Sequence, residues 1–154
     1  MSDESSRGYM PPSQRIDWET PPDFFAGLDA EFGFTLDVCA HADNAKCERF
    51  LSLAEDGLLQ PWEGETCWMN PPYGRIIRDW CAKAHREAHL GATVVGLLPS
   101  RTDTAWFHDH ILGHAEVRFI RGRLRFVGAA ASAPFPSIVV VWRPEPAARG
   151  AQGA

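Results

Sequence analysis

The chain has 154 residues, 45% hydrophobic and 23% charged, with nine Phe and six Trp, which suits one domain with a core of its own. No run approaches the roughly 18 consecutive apolar residues that a membrane helix needs, and the N-terminus has no apolar stretch of the signal-peptide kind. Four cysteines without CxxC pairing indicate neither a disulfide scaffold nor a zinc ribbon, so a soluble intracellular protein with reduced thiols is expected. The net charge of −5 is unevenly spread: residues 1–73 carry 4 Lys/Arg against 14 Asp/Glu, residues 74–126 carry 9 against 5. That division suggests two surfaces, one suited to a cationic ligand and one to a polyanion, although a merely solvated acidic face would give the same sum.

Residues 1–16 and 144–154 are polar or Pro/Ala/Gly-rich without periodicity and read as mobile tails around a domain of 17–143. Thr20-Pro21-Pro22-Asp23 predicts a helix start with Thr20 as N-cap and Pro21 at the first helical position, running through Phe24, Phe25 and Leu28 to a stop at Gly33. FTLDVCA predicts a short strand, and TCWMNPPY a strand running into a double proline. In RIIRDWCAKAHREAHLG, Ile76, Ile77, Trp80, Cys81, Ala84 and Ala88 fall on one helical face that ends at Gly91. TVVGLL has the continuous apolar character of a central parallel strand. VRFI, RLRF and SIVVVW follow as strands, the last antiparallel at the end of the sheet. Alternating strands and helices predict an α/β domain with a mainly parallel sheet and a ligand cleft at the carboxyl ends of its strands.

The most informative residues are Asn70, Pro71, Pro72 and Tyr73, placed where a buried strand ends. Two prolines remove two N–H donors and force an extended turn, which leaves the Pro71 carbonyl without a neighbouring donor. That oxygen and the Asn70 side-chain oxygen can accept both hydrogens of a planar amino group, while Tyr73 offers a flat face for stacking a base. A rigid strand-to-helix turn with a core Tyr is the alternative reading.

This Asn-Pro-Pro-Tyr resembles the catalytic signature of the S-adenosylmethionine-dependent amino-methyltransferases, and the chain is similar to the compact phage-type DNA N-6-adenine methyltransferases among them. Three further segments carry the resemblance. Thr20-Pro21-Pro22 is similar to the family's cofactor-binding helix start; Asp37-Val38-Cys39-Ala40-His41 resembles its first cofactor motif; Asp56-Gly57-Leu58-Leu59, with Trp62 behind, resembles the acidic motif that holds the cofactor adenine. The resemblance implies a truncated Rossmann-like class I methyltransferase fold, with an antiparallel C-terminal strand. It implies S-adenosylmethionine as methyl donor, DNA as partner, adenine N6 as acceptor and the cytoplasm of a bacterium or phage-infected cell as location. It assigns catalysis to Asn70, Pro71, Pro72 and Tyr73, and cofactor binding to Thr20, Pro21, Asp37, Cys39, Ala40, His41, Asp56 and Asn70. The same chemistry also serves RNA bases and protein glutamine amides, and a non-enzymatic nucleic-acid-binding module is a third reading.

Two departures from the pattern stand out. The usual Gly-x-Gly is absent, and only about thirty residues separate Asp37 from Asn70, where the full fold fits two more strands. One or both strands must be missing or reduced, and Asp43 and Glu48 are candidates for the acid that holds the cofactor ribose. Downstream, alternation in RGRLRF places Arg121, Arg123 and Arg125 on one strand face opposite Leu124 and Phe126, and these arginines with Arg101 and Trp106 are candidates for DNA contact. Cys39, His41 and Cys47, or His108, His110 and His114, lack metal-ligand spacing, so no metal site is expected.

Overall fold

The structure, a computed structural model, describes residues 18–144. Helix α1 spans Pro22–Phe32, α2 Ile77–His89 and α3 Ala105–His110; the strands are β1 Leu36–Asp37, β2 Thr66–Met69, β3 Thr93–Pro99, β4 Glu116–Phe119 and β5 Ser137–Trp142, with a 3-10 turn at Gly57–Leu59. They form one mixed sheet in the order β1-β2-β3-β5-β4. β1 pairs with β2, and β2 with β3, in parallel; β5 is antiparallel to both β3 and β4. Four strands therefore share one direction, and β5 alone runs against them.

Pairing register assigns the faces. Trp68, Val95, Val141, Val139 and Arg118 lie on one face, where Phe25 of α1 meets Trp68 edge-on at 5.3 Å and Arg118 sits over the Phe32 ring. Trp142 lies on the other, where its indole N–H donates to the His110 carbonyl of α3 at 2.8 Å. α1 thus covers one face and α2 with α3 the other, which is why β3 after Thr93 and β5 throughout are buried, and both are apolar apart from their first residues. Among the described residues no helix is long and apolar enough to cross a membrane.

The missing strands of the sequence reading are here reduced to a stub. Phe50 makes an isolated parallel bridge to Asp37, flanked by Asp37 N–H to Arg49 O and Leu51 N–H to Asp37 O. Four other expectations need correction. Thr20 does not cap α1: the cap is Pro21, Pro22 takes the first helical position, and no side chain caps the helix. Ile76 precedes α2 and is exposed, since the helical face begins at Ile77. RLRF forms no strand; residues 123–126 take no part in the sheet, and the Leu124 carbonyl instead accepts from the Ala133 N–H at 2.7 Å, which folds the segment onto the loop that follows it. β5 itself is not at the end of the sheet but between β3 and β4. The tails assigned to 1–16 and 144–154 lie outside the described residues, apart from Pro144.

Candidate active site

A cavity of about 460 Å³ opens where β1 and β2 end. Among the residues assigned to cofactor or catalysis, Thr20, Asp37, Cys39, Ala40, His41, Asp56, Asn70 and Pro72 all line it. Residues as far apart in the chain as Thr20 and Pro72 therefore meet in one space, as expected for the carboxyl ends of parallel strands. Asp43 and Glu48 do not line it; both are exposed, whereas Ser52, just past the Phe50 stub, does. Asn44, Lys46, Trp18 and Glu19 also line the cavity, and carry no motif by which the sequence could have marked them.

Asp37 is 2% exposed. Its Oδ1 accepts from the Cys39 N–H at 3.2 Å and its Oδ2 from the Lys46 N–H at 3.0 Å, so the strand-end acid anchors both ends of the loop 39–46. Burial pushes its pKa up from 3.8 to about 6, against the opposing pull of those two N–H groups and of the Lys46 charge. The loop is further closed by His41 and Asn44: the His41 N–H donates to Asn44 Oδ1 at 2.9 Å, and the Asn44 amide nitrogen lies 3.0 Å from His41 Nε2.

Asp56 has φ 57° and ψ 94°, a left-handed conformation that costs a non-glycine residue energy and is found preferentially at functional sites. Its Oδ1 accepts from the Leu58 N–H at 3.1 Å. The next residue explains the fit: a Cβ on Gly57 would stand 2.1 Å from the Val38 carbonyl and 3.0 Å from the Trp80 ring. Behind it the Trp62 indole donates to the Gly57 carbonyl at 3.0 Å, and Trp62 is held in turn by Glu87 and Lys83, a buried pair on α2. Burial pulls the Lys83 pKa down, the Glu87 charge resisting.

The Asn70 amide nitrogen donates to the Trp18 carbonyl and, at 2.9 Å, to the Thr20 hydroxyl. Its Oδ1 is buried with no hydrogen-bond partner. An orphaned buried acceptor is expensive and is retained mainly where function uses it. The Trp80 indole nitrogen, on another residue lining the cavity, is likewise a buried donor without a partner.

Tyr73 departs from the expected open stacking face. It is 6% exposed, its hydroxyl donates to the Leu97 carbonyl at 3.1 Å, and Phe135 packs edge-on at 5.5 Å with Trp18 at 6.5 Å. Burial raises its pKa far above the usual phenol range. Pro71 is also buried, and Pro21 is the helix cap beside the cavity wall formed by Thr20.

Arg121, Arg123 and Arg125 are exposed while Leu124 is half-buried and Phe126 buried, so the alternation read from the sequence survives without a strand. Arg123 donates to the Ala133 carbonyl, and Arg125 to those of Ala129 and Ala130, all at 3.2–3.3 Å. Arg101 is exposed at the end of β3 and Trp106 is half-buried on α3. The histidines regroup: His85, His89, His110 and His114 cluster between α2 and α3, with ring centroids 4.4–5.4 Å apart, and His108 instead contacts the Thr102 carbonyl.

Comparison with known proteins gives the family. The family model described as DNA N-6-adenine-methyltransferase (Dam) matches residues 8–151. The chain is 33% identical over 117 residues to a DNA N-6-adenine-methyltransferase of Escherichia phage T1, an alignment covering 74% of this chain and 48% of that protein. It is 31% identical over 113 residues to one of Haemophilus phage HP1, covering 71% of this chain and 65% of the relative. The chain thus spans about half the length of the first of these relatives and just under two thirds of the second.

Proposed function

The chain belongs to the DNA N-6-adenine-methyltransferase (Dam) family, and from that premise we propose that it transfers a methyl group from S-adenosylmethionine to the 6-amino nitrogen of adenine in DNA. One methyltransferase domain over 17–143 carries this activity, in the cytoplasm of a bacterial or phage-infected cell, where DNA and donor coexist. The sheet supports a truncated Rossmann-like class I fold: parallel strands end at the cavity, one reversed strand is inserted next to the edge strand, and a one-residue bridge stands in for a further strand.

The observation that carries the reading is the Asn70 Oδ1, a fixed acceptor at the cavity with nothing to accept from. The cavity fits the methyl donor: it has the volume for a nucleoside-sized ligand, three acidic residues (Glu19, Asp37 and Asp56) suited to a cation, and an unpartnered indole donor. Asp37 and the loop Cys39–His41 would hold its amino-acid end, and Asp56 its adenine. When bound, S-adenosylmethionine supplies an electrophilic methyl whose bond to sulfur breaks, the electron pair staying on sulfur, as the bond to N6 forms.

The chain's own part is to prepare the nucleophile. Asn70 Oδ1 and the Pro71 carbonyl accept the two amino hydrogens, which draws the N6 lone pair out of conjugation and towards the methyl. The surplus proton leaves N6 for solvent, and the falling positive charge makes a strong base unnecessary. Stacking on Tyr73 requires the Trp18 and Phe135 rings to give way, so base entry is coupled to rotation of these two side chains. The exposed arginines at 121, 123 and 125, with Arg101 and Trp106, would meet the DNA backbone around the flipped base.

The test is incubation with labelled methyl donor and DNA, RNA or protein as acceptor, followed by identification of the methylated atom. Label on adenine N6 of DNA is the expected result, and label on RNA or a glutamine amide would replace it. Asn70→Ala should lower turnover by roughly 10²–10³-fold, as loss of an oxyanion-type contact does elsewhere, with donor affinity little changed.

A further inference from the structure

We propose that Thr20 is a positioning residue for the catalytic amide. Its Oγ1, with the Trp18 carbonyl, holds the Asn70 side chain by the NH₂ so that Oδ1 alone faces the substrate. The inference rests on the reading above, that Asn70 accepts the target amino group.

A primary amide presents a nitrogen and an oxygen of nearly equal size, and its terminal torsion is broad and roughly two-fold. Nothing in Asn70 itself selects which end faces the cavity. Here the NH₂ meets two oxygens, the Trp18 carbonyl and the Thr20 hydroxyl. A flipped amide would set Oδ1 against the Trp18 carbonyl, which has no proton to give. The flip is thereby disfavoured, and Oδ1 is held in its buried, unpartnered place.

Thr20 is spared for this duty. It is 1% exposed and stands just before α1, yet α1 is capped by Pro21 without any side-chain bond. The segment carrying both acceptors is itself anchored: the Trp18 ring lies 5.2 Å from Phe126 and 5.1 Å from Phe135, and the Glu19 carbonyl accepts from the Val127 N–H at 3.0 Å. The orientation of the catalytic amide is therefore tied to the loop that follows the arginines.

The experiment compares Thr20→Val, which keeps shape and removes the hydroxyl, with Thr20→Ser, which restores it. Three quantities are read on the full chain: the single-turnover rate of methyl transfer to DNA, the Kd for S-adenosylmethionine by calorimetry, and the side-chain amide NMR signals of Asn70 in DNA-free protein. Thr20→Val should lose on the order of 10²-fold in rate, the scale of a misplaced reacting group. Its donor Kd should stay within about twofold and Thr20→Ser should recover to within about threefold of wild type. The Asn70 amide protons should exchange slowly in wild type and in Thr20→Ser and faster in Thr20→Val. A full-speed Thr20→Val overturns the proposal, as does a rate loss matched by an equal loss of donor affinity, which would make Thr20 a donor ligand. If wild-type protein methylates no DNA, the activity reading fails by itself, and the NMR comparison still judges the clamp: unchanged Asn70 signals in Thr20→Val refute it.

Discussion

Around the cavity, side-chain geometry is fixed by bonds within the fold: both Asp37 oxygens are taken by backbone N–H groups, Asn70 is held by its NH₂, and Gly57 touches the Val38 carbonyl with no room for a methyl. Over residues 121–126 the opposite holds. The three arginines are exposed, and the bonds that two of them make go to carbonyls of the loop 129–133, which can be exchanged for phosphate at little cost. A site that must distinguish one small ligand and orient one nitrogen needs preorganisation. A surface that meets a uniform polyanion needs charge and freedom to adjust. The acidic half and the basic half of the chain are thus built to different tolerances.

The sharpest way to break that contrast is Gly57→Ala. The added Cβ would stand 2.1 Å from a backbone oxygen, which no side-chain rotation relieves, so the Asp56 turn must move or the fold must yield. A loss of about 3 kcal/mol, at the upper end for overpacking, is expected in denaturant unfolding, with donor binding weakened as well. A variant of wild-type stability would show that the pocket wall is more compliant than its contacts indicate.

A smaller effect is expected from neutralising Arg121, Arg123 and Arg125 together. If each displaces about one counterion, the slope of log affinity against log salt should shrink by roughly 0.9 per arginine on duplex DNA. Sequence preference and donor affinity should not change, because phosphate contacts position without reading bases. An unaltered salt slope would move the DNA track elsewhere, to the side of Arg101 and Trp106.

The least effect belongs to Asp37 and pH. Its folded pKa of about 6 lies above the ordinary 3.8 because burial disfavours the charge. Stability from this group is therefore fully present below about pH 3.8 and is lost as pH rises through 6. Cation binding favours the ionised form, so donor affinity should rise about tenfold from pH 5 to 7 and then level off. Calorimetric titration of Asp37→Asn should lose that rise; if the variant keeps it, another group governs the pH dependence.

The α/β class, the elements α1, α2, β2, β3 and β5 and the tetrapeptide at the strand end were legible in the sequence, because each is written in local signals: apolar runs for β3 and β5, a 3.6-residue face for α2, paired prolines after β2; α3 was not. Eight of the residues lining the cavity were legible as well, because the motifs that carry the family resemblance contain them. Tertiary structure alone decided the partners. Thr20 looks like a cap because a hydroxyl before two prolines favours one, but a buried amide fifty residues away competes for its oxygen and wins. RLRF alternates like a strand, yet it folds onto the loop that follows it, the Leu124 carbonyl accepting from the Ala133 N–H, and its alternation is satisfied by packing without sheet pairing. Tyr73 is an accessible ring on paper and a covered one in the fold, because Trp18 and Phe135 arrive from opposite ends of the chain. The Lys83–Glu87 pair that holds Trp62 had no sequence signal either, since charges on a helix read as solvated until a neighbouring indole buries them.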